Sequence, residues 1–452
     1  MKQRRFHPHR KIREAVGILT GVITFMGIVC GLNYLYVETT EREMIWSRVL
    51  WHNYYEDRGK IDNIYLGSSH VYNDIDPRIL DKLSEQCNFN LSTASQTMNG
   101  SFYLLKEAGQ DNELSNVYLE MYYQCSVNDT KMDNEYHRNW NNIDYMELSL
   151  NKIQYMISNG GLDRCLDNFF PFVRYRTKLG DWEYVKQVME DKREMDYLAY
   201  QYRSDYEDGN GYIEFMKQGF RNYTRMYPES KMRFNQTTIL EKHSMGQKSE
   251  QYCRKVIEYC QKEDIPITLF VSPICDLQLI STEGYDNYID EIRKIAGEYE
   301  IPFYDFNLAK EQYLPLQASE HFGDIGHLNS YGAAVFTSFF YEVVSGEEEE
   351  NEKYFYASYA DKLQGNAPAL YGIYYRNSEE SEQTRIVWIA SNRDSEMEYK
   401  VVLTPNEGEP YIVQDFDTNK EFAISKEEHG ICSITARMQG ASEEIRTMEI
   451  DY

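Results

Sequence analysis

Residues 61–77, which read IDNIYLGSSHVYNDIDP, decide the fold class of this chain. The apolar and aromatic run at 61–66 predicts a short buried strand, and the turn GSSH at 67–70 ends it. Asp76 followed by Pro77 is typical of a helix start, because aspartate caps the first turn and proline fits the first helical position. A strand, a glycine turn and a capped helix in immediate succession indicate a βα unit.

The same rhythm continues along the chain. Further strands are predicted at 89–91, 116–123, 266–271 and 302–306, and further helices at 101–108, 246–262, 284–299 and 329–344. Strands that alternate with helices predict an α/β fold, a doubly wound parallel sheet with helices on both faces. The segment 125–245 interrupts this rhythm. Its helical periodicity and aromatic clusters predict a helical insertion, which forms a lid, forms a docking surface or simply packs on the sheet.

The amino terminus carries a membrane signal. Residues 1–14 are basic, and residues 15–36 are 22 consecutive uncharged residues, AVGILTGVITFMGIVCGLNYLY. As a helix this run is about 30 Å long, the thickness of a bilayer core. No small-residue cleavage site follows it, so it predicts a transmembrane anchor and not a signal peptide. The basic flank places the N-terminus in the cytoplasm and the body outside the cell membrane. A buried helix of a soluble protein is the alternative, although 22 uncharged residues are long for one.

The body divides into predicted parts at changes of composition. Residues 37–345 contain the α/β rhythm, and an acidic run after Gly346 begins a linker, 346–367. Residues 368–452 predict a small β-sandwich, which either binds glycan or packs on its neighbour. Its predicted strands are 370–375, 385–390, 399–403, 411–413, 421–424, 431–436 and 445–450.

Composition excludes some partners. The 452 residues include 47 Lys and Arg against 73 Asp and Glu, and the net charge of −26 argues against nucleic acid. The 40 tyrosines indicate either an amphipathic core residue in heavy use or broad sugar-stacking surfaces. The eight cysteines lack zinc spacing, and a chain of this size needs no disulfide framework. Cys253 and Cys260 share one face of a predicted helix and are expected to be core thiols. We expect no metal and no cofactor.

Two distant segments together carry residues for nucleophilic chemistry. The turn 67–70 lies at the carboxyl end of the first predicted strand, where ligands bind in open parallel sheets. Asp324 and His327 share a tight turn before the last predicted helix of the α/β body. A serine nucleophile needs an imidazole base, and the imidazole needs a carboxylate that orients it. The alternative is structural: serines that bond nearby backbone, an aspartate that caps a helix and a satisfied histidine. Of the neighbouring histidines, His70 is expected to be a pocket residue and His321 a structural one.

With these segments in this order, the chain resembles the SGNH/GDSL hydrolase superfamily. That superfamily places its nucleophile in a G-D-S motif after the first strand and its base in a D-x-x-H motif before the last helix. Here G-S-S stands for G-D-S, which implies Ser69 as the nucleophile and Asp324 and His327 as the rest of a triad. The resemblance covers 60–345 without the insertion and implies a flavodoxin-like sheet. It is strongest to the membrane-anchored branch with the teichoic-acid D-alanyl transfer protein and the alginate-type O-acetyltransferases.

The superfamily's oxyanion blocks fit this chain less well. Serines replace the glycines of the block after the second strand, which leaves the backbone N–H near Ser95 as a donor. After the third strand, Gln124 stands at the asparagine position of the other block, and a glutamine amide is also a donor. Asn128 and Asp129 resemble that block's N-D but follow the strand end too late.

The resemblance implies extracytoplasmic serine-dependent acyl transfer, as an esterase or an O-acyltransferase. The expected substrate is a cell-surface polysaccharide or a teichoic-acid-like polymer, and the expected partner is a membrane-bound O-acyltransferase. The alternative is a catalytically inactive glycan-binding or scaffold component of a cell-envelope modification complex, a reading that the altered oxyanion blocks favour.

Overall fold

The computed structural model describes residues 8–37, 42–161, 164–194, 199–235, 237–347, 351–376 and 383–452. Half of the predicted basic tail, 1–7, and most of the acidic run, 348–350, lie outside these residues. The strands are β1 (Asn63–Leu66), β2 (Asn88–Asn90), β3 (Asn116–Glu120), β4 (Arg203–Asp205), β5 (Tyr212–Phe215), β6 (Arg221–Tyr223), β7 (Arg233–Phe234), β8 (Thr238–Ile239), β9 (Ile267–Val271), β10 (Thr282–Glu283), β11 (Phe303–Asp305), β12 (Leu370–Arg376), β13 (Thr384–Ser391), β14 (Met397–Pro405), β15 (Tyr411–Asp417), β16 (Glu421–Ser425), β17 (Gly430–Met438) and β18 (Glu444–Asp451).

The helices follow the same chain order. They are α1 (Pro8–Tyr36), α2 (Arg42–Asp57), α3 (Ser69–Asp74), α4 (Pro77–Ser84), α5 (Met98–Asp111), α6 (Tyr123–Ser126), α7 (Thr130–Asp133), α8 (Trp140–Ile143), α9 (Leu150–Ser158), α10 (Cys165–Phe169), α11 (Trp182–Glu194), α12 (Gln247–Lys262), α13 (Asp276–Ile280), α14 (Tyr285–Tyr299), α15 (Ala318–His321), α16 (Ser330–Ser345) and α17 (Tyr359–Gly365). Short 3₁₀ helices lie at Tyr136–Asn139, Pro171–Lys178, Lys217–Gly219, Glu229–Lys231, Phe306–Leu308 and Glu352–Tyr354.

A five-stranded parallel sheet forms the centre of the body. Its strand order is β2-β1-β3-β9-β11, and every neighbouring pair is parallel. The mixed α/β class and the parallel sheet are therefore confirmed. The strands are shorter than predicted at several ends, and β3 stops at Glu120, because the next residues turn into the short helix α6.

Both faces of this sheet are covered. Alternate side chains of β1 enter different hydrophobic clusters: Ile64 and Leu66 face one cluster, and Tyr65 faces the other. The first cluster contains buried residues of α2, α5, α12 and α14. The second contains those of α3, α4 and α16, together with residues of the C-terminal strands. A strand that is buried on both sides has a continuous apolar run, which explains why β1 and β9 were visible in the sequence.

The interrupting segment 125–245 is helical only in its first half. Short helices fill it as far as α11, but β4, β5 and β6 then form an antiparallel sheet, and β7 pairs with β12 of the C-terminal region. The prediction of a helical insertion is wrong for residues 203–239. The turn DGNG between β4 and β5 explains the difference: Gly209 and Gly211 have φ of 69° and 94°, the conformation that a tight hairpin needs.

The C-terminal residues form two four-stranded sheets, whose strand orders are β16-β13-β12-β7 and β15-β14-β17-β18. Within residues 370–451 each neighbouring pair is antiparallel. Side chains of β14 and β17 alternate between buried and less buried positions, as expected of strands with one face in a core. The predicted C-terminal strand region is confirmed.

The predicted linker is packed against the α/β body. Tyr354 and Tyr359 are buried. The Lys310 backbone N–H donates to the Tyr354 carbonyl at 2.9 Å, and the Tyr359 N–H donates to the Asp286 carboxylate at 2.8 Å. The buried tyrosines and these hydrogen bonds attach the segment to the body. The acidic run in its sequence gives no sign of this packing.

The N-terminal helix stands apart from the core. Its segment Arg13–Tyr36 is long and apolar enough to cross a membrane, and almost all of its central window is exposed. The next helix, α2, is packed in the core of the body: its Trp46, Leu50 and Trp51 are at most 2% exposed.

Several of the 40 tyrosines lie in the hydrophobic core. Those at most 2% exposed are Tyr54, Tyr65, Tyr123, Tyr155, Tyr285, Tyr288 and Tyr399. The eight cysteines are free thiols, and Cys253 and Cys260 are buried in α12. Burial raises the pKa of each of these two thiols to about 12, as expected of core groups.

Candidate active site

Ser69 is the first residue of α3, at the carboxyl end of β1. Ser68 precedes it as the helix cap, and its Oγ accepts a hydrogen bond from the His70 N–H at 3.4 Å. The turn needs glycine at position 67, because a Cβ there would lie 2.5 Å from Val71 Cγ2 and 2.6 Å from Glu120 Cβ. Close approach of α3 to β3 thus fixes where Ser69 leaves the sheet.

Asp324 is held by the backbone of its own turn. Its Oδ1 accepts hydrogen bonds from the N–H of Gly326 at 2.9 Å and from that of His327 at 3.0 Å. The Gly323 N–H donates to the His327 carbonyl at 3.0 Å and closes the turn. The spacing D-x-x-H therefore produces a compact loop in which the carboxylate and the imidazole have fixed relative positions.

Ser69, His327 and Asp324 form a continuous hydrogen-bonded chain. The Ser69 Oγ lies 2.8 Å from His327 Nε2, and His327 Nδ1 lies 2.9 Å from Asp324 Oδ1 and 3.1 Å from Oδ2. A carboxylate on Nδ1 favours the tautomer whose Nε2 accepts a proton, so the imidazole is oriented to take the hydroxyl proton of Ser69. The side chain of His327 is 24% exposed, which leaves the chain open to solvent on one side.

The charge of Asp324 is stabilised. Desolvation raises its pKa, but the nearby His327, the hydrogen bonds from His327 and Gly326, and the charge of Arg221 outweigh this effect. The net result is a pKa well below that of an ordinary aspartate. Asp324 is therefore ionised at neutral pH, as a residue that stabilises an imidazolium must be.

The two halves of the site are tied together through Asp74 at the end of α3. Its Oδ1 accepts the Leu328 N–H at 3.2 Å, and its carbonyl accepts the Thr337 hydroxyl at 3.2 Å. Burial and the charge of Glu120 raise the pKa of Asp74 well above the ordinary value. Asp74 thus links the helix that carries Ser69 to the loop and helix that carry His327.

The insertion contributes residues that sequence reasoning missed. Arg221 of β6 donates from Nε to Asn73 Oδ1 at 2.6 Å, and Asn73 Nδ2 in turn donates to the Ser69 carbonyl at 2.7 Å. Tyr223 of β6 donates its hydroxyl to the Gly323 carbonyl at 3.1 Å. No motif marks this strand, and the only available signal was the DGNG turn that predicts a hairpin before it.

A buried polar cluster lies beside the triad. The Ser68 Oγ donates to Glu120 Oε2 at 2.8 Å, and His70 Nδ1 lies 3.2 Å from the same Oγ. The ring of His70 stacks on that of His327, with centroids 4.8 Å apart. Glu120 could have been recognised in the sequence as a polar site residue, because it is an acidic residue at the end of the buried strand β3. His70, expected as a pocket residue, is only 3% exposed and lies directly against the base.

The predicted oxyanion donors are less closely tied to the triad. Ser95 lies in the loop after β2 with φ of 53°, and Gln124 lies in α6. Among the described residues, neither side chain is hydrogen-bonded to Ser69, Asp324 or His327. Next to Gln124, the tyrosines 122 and 123 are buried and accept hydrogen bonds from Gln278 Nε2 at 2.8 and 2.9 Å.

His321 ends the short helix α15. Its Nδ1 accepts the N–H of Gln317, the residue that precedes this helix, at 3.0 Å.

No protein-family model matches this chain, and no curated protein matches it. Among solved structures, a protein from Bacteroides fragilis described as a "putative acylhydrolase" is similar at 9% identity. The similarity covers 66% of this chain and 94% of that one, with a TM-score of 0.30.

Proposed function

We propose that this chain is a membrane-anchored serine acyl-transfer enzyme of the SGNH type that acts outside the cell membrane. The observation that carries the proposal is the chain of short hydrogen bonds from Ser69 through His327 to Asp324. A hydroxyl, an imidazole and a carboxylate at these distances are what nucleophilic acyl transfer requires. The strand order of the central sheet, which is also that of flavodoxin-like doubly wound sheets, supports the proposal.

The reaction follows from the contacts. Ser69 Oγ attacks the carbonyl carbon of an acyl ester while His327 Nε2 accepts its proton, and Asp324 stabilises the imidazolium. The imidazolium then protonates the departing alkoxide, which leaves an acyl group on Ser69. In the second half, His327 removes a proton from the acceptor hydroxyl, which attacks the acyl-enzyme and releases Ser69. The Ser69 and Ser95 N–H groups and the Gln124 amide are the proposed oxyanion donors.

The acceptor is proposed from the place of the enzyme. A helix that is apolar enough to cross a membrane, with basic residues before it, favours a body on the outer surface. There the acceptor is a hydroxyl of a polysaccharide or a teichoic-acid-like polymer, or water in an esterase. A membrane-bound O-acyltransferase that delivers the acyl group is the proposed partner.

A fluorophosphonate probe tests the nucleophile. The detergent-solubilised full chain is expected to be labelled, and Ser69→Ala is expected to abolish the labelling. Ser338→Ala removes an exposed hydroxyl that bonds only to its own helix, so labelling should persist in this control. Equal labelling of both variants would refute the role of Ser69.

A binding or scaffold protein is the competing function, favoured by the serines and by Gln124, which stand at positions of the superfamily's oxyanion glycines and asparagine. The ester content of the surface polymer separates the two functions in cells. Unchanged ester content in a strain that carries His327→Ala would contradict catalysis and support a scaffold. Loss of ester with normal protein abundance would support acyl transfer.

A further inference from the structure

One part of the insertion packs along the N-terminal helix. At the carboxyl end of α1, the Tyr36 hydroxyl accepts the Gly180 N–H at 3.1 Å, and the Tyr36 carbonyl accepts the Tyr184 hydroxyl at 3.1 Å. Lys192 donates to the Tyr34 carbonyl at 2.6 Å. These polar contacts, with three tyrosines and a lysine, lie where α1 would leave a membrane, and these residue types favour such an interface.

Further along α1 the contacts with the same segment become apolar. The ring of Phe170 packs edge-on against Phe25, with centroids 6.1 Å apart. Phe25 lies about three helical turns before Tyr36, or about 16 Å along the axis at 1.5 Å per residue. That depth is about half of a bilayer core, which is about 30 Å thick. From Tyr36 towards Phe25, the contacts of α1 with this segment therefore change from polar to apolar. A bilayer changes in the same way from its headgroups to its acyl chains.

The same segment exposes large apolar side chains. Leu166 is 64% exposed, Leu179 48% and Trp182 74%, and Phe169 of α10 is 37% exposed. A soluble surface exposes such residues singly, whereas a cluster of them next to a membrane-spanning helix indicates contact with lipid.

The segment also keeps its inward charge paired. Arg174 forms two hydrogen bonds with the Asp144 carboxylate, at 2.6 and 2.8 Å, and both side chains are less than 10% exposed. The guanidinium covers the ring of Trp140 at 3.8 Å. This bidentate pair neutralises the two buried charges, so neither Arg174 nor Asp144 is an isolated charge on the inward side of the segment.

We propose that residues 165–184 form a membrane-embedded foot, which inserts the side chains of Leu166, Phe169, Leu179 and Trp182 into the outer leaflet beside α1. The ligand is the acyl-chain region of the bilayer, and the foot holds the body at a fixed height and angle above the surface. The inference rests on α1 crossing the membrane and does not depend on the proposed chemistry of Ser69.

Quenching of tryptophan by bromine on lipid acyl chains tests the foot. The full chain is reconstituted in vesicles of phosphatidylcholine and phosphatidylglycerol, with and without brominated acyl chains. The tryptophans at 46 and 51 are buried in the body, Trp140 lies under Arg174, and Trp388 belongs to the C-terminal strands. Trp182 is therefore expected to supply most of the emission that brominated lipid quenches.

Trp182→Phe is expected to remove at least half of the quenched emission, whereas Trp388→Phe leaves it unchanged. Equal quenching in wild type and Trp182→Phe would overturn the proposal and assign the apolar surface to a protein partner or a second copy. The substitution is conservative and the Trp182 side chain is 74% exposed, so fluorophosphonate labelling of Trp182→Phe should equal that of wild type. Loss of labelling in Ser69→Ala with unchanged lipid quenching would show that membrane insertion of the foot does not depend on the nucleophile.

Discussion

At the scale of single residues, Arg221 shows how the insertion affects the triad. Its guanidinium bonds to Asn73, which holds the Ser69 carbonyl, and its charge lowers the pKa of Asp324. We expect Arg221→Gln to slow fluorophosphonate labelling by about tenfold, because one charge-assisted hydrogen bond is worth about 1.5–3 kcal/mol. Loss of this positive charge also favours proton binding by the coupled Asp324–His327 pair, so labelling should fail at a higher pH on the acidic side. Rates of labelling across a pH series measure both effects.

Arg225→Gln is the matched control for this prediction. Arg225 follows the same strand, but its guanidinium bonds to Asp208 and covers the ring of Tyr206. The labelling rate is expected to fall off at a higher pH in Arg221→Gln only. If its loss at acidic pH shifts equally in both variants, or in neither, Arg221 has no positioning role.

The triad residues themselves were accessible from the sequence, because each half of the site is a local motif. Ser69 follows a strand and a glycine, and Asp324 and His327 share one turn, so short spacings predict them. Arg221 and Glu120 act through contacts between distant elements, and no local spacing encodes those contacts. Glu120 lies 52 positions from the Ser68 that it binds.

At the scale of elements, buried strands and amphipathic helices were predictable, and mixed segments were not. The helix α2 is not among the predicted helices, because its charged residues interrupt a buried aromatic face. Trp51 on that face donates from Nε1 to Asn142 Oδ1 at 3.1 Å. The strands β4–β8 were missed because each has two to four residues, too few for a period-two pattern to be visible.

One strand end carries a pH-sensitive group. Asp305 closes β11, and its Oδ1 accepts hydrogen bonds from the Tyr285 hydroxyl and the Asn307 N–H, each at 3.0 Å. Burial raises its pKa from 3.8 to about 6. Folding therefore favours the protonated form of Asp305. The stabilisation that this protonation gives the folded state is complete below about pH 4 and is lost as the pH rises through about 6.

We expect the free energy of unfolding of wild type to fall by on the order of 3 kcal/mol across this interval, relative to Asp305→Asn. Urea unfolding of the full chain in detergent, over a series of pH values, measures the difference. Asp290→Asn on the neighbouring helix α14 removes a mostly exposed carboxylate and should keep the wild-type dependence. A constant difference between Asp305→Asn and wild type would contradict the assignment.

At the scale of the whole molecule, the C-terminal strands and the α/β body share one hydrophobic cluster. Phe336 and Phe340 of α16 belong to the same cluster as Ile373 of β12 and Val387 of β13. Composition predicts regions of different structure, but it does not show whether two regions share a core, because that depends on which faces meet.

A shared core predicts cooperative unfolding. We expect a single calorimetric transition for residues beyond α1, and we expect Ile373→Ala to lower it by several degrees, since such a cavity costs about 2–5 kcal/mol. The temperature at which fluorophosphonate labelling is lost should fall together with it. Ile412→Ala, at a position 59% exposed on β15, should change neither temperature. Two separate transitions, with labelling insensitive to Ile373→Ala, would show independent domains.

The hydrogen bond between Ser69 and His327 joins residues 258 positions apart. In the proposed topology, with an N-terminal anchor and the body outside the membrane, Ser69 crosses the membrane before His327 has been synthesised. The Ser69 hydroxyl of a nascent chain therefore lacks its imidazole partner while it is exported. The proposed acyl transfer can begin only after most of the body has been released and folded.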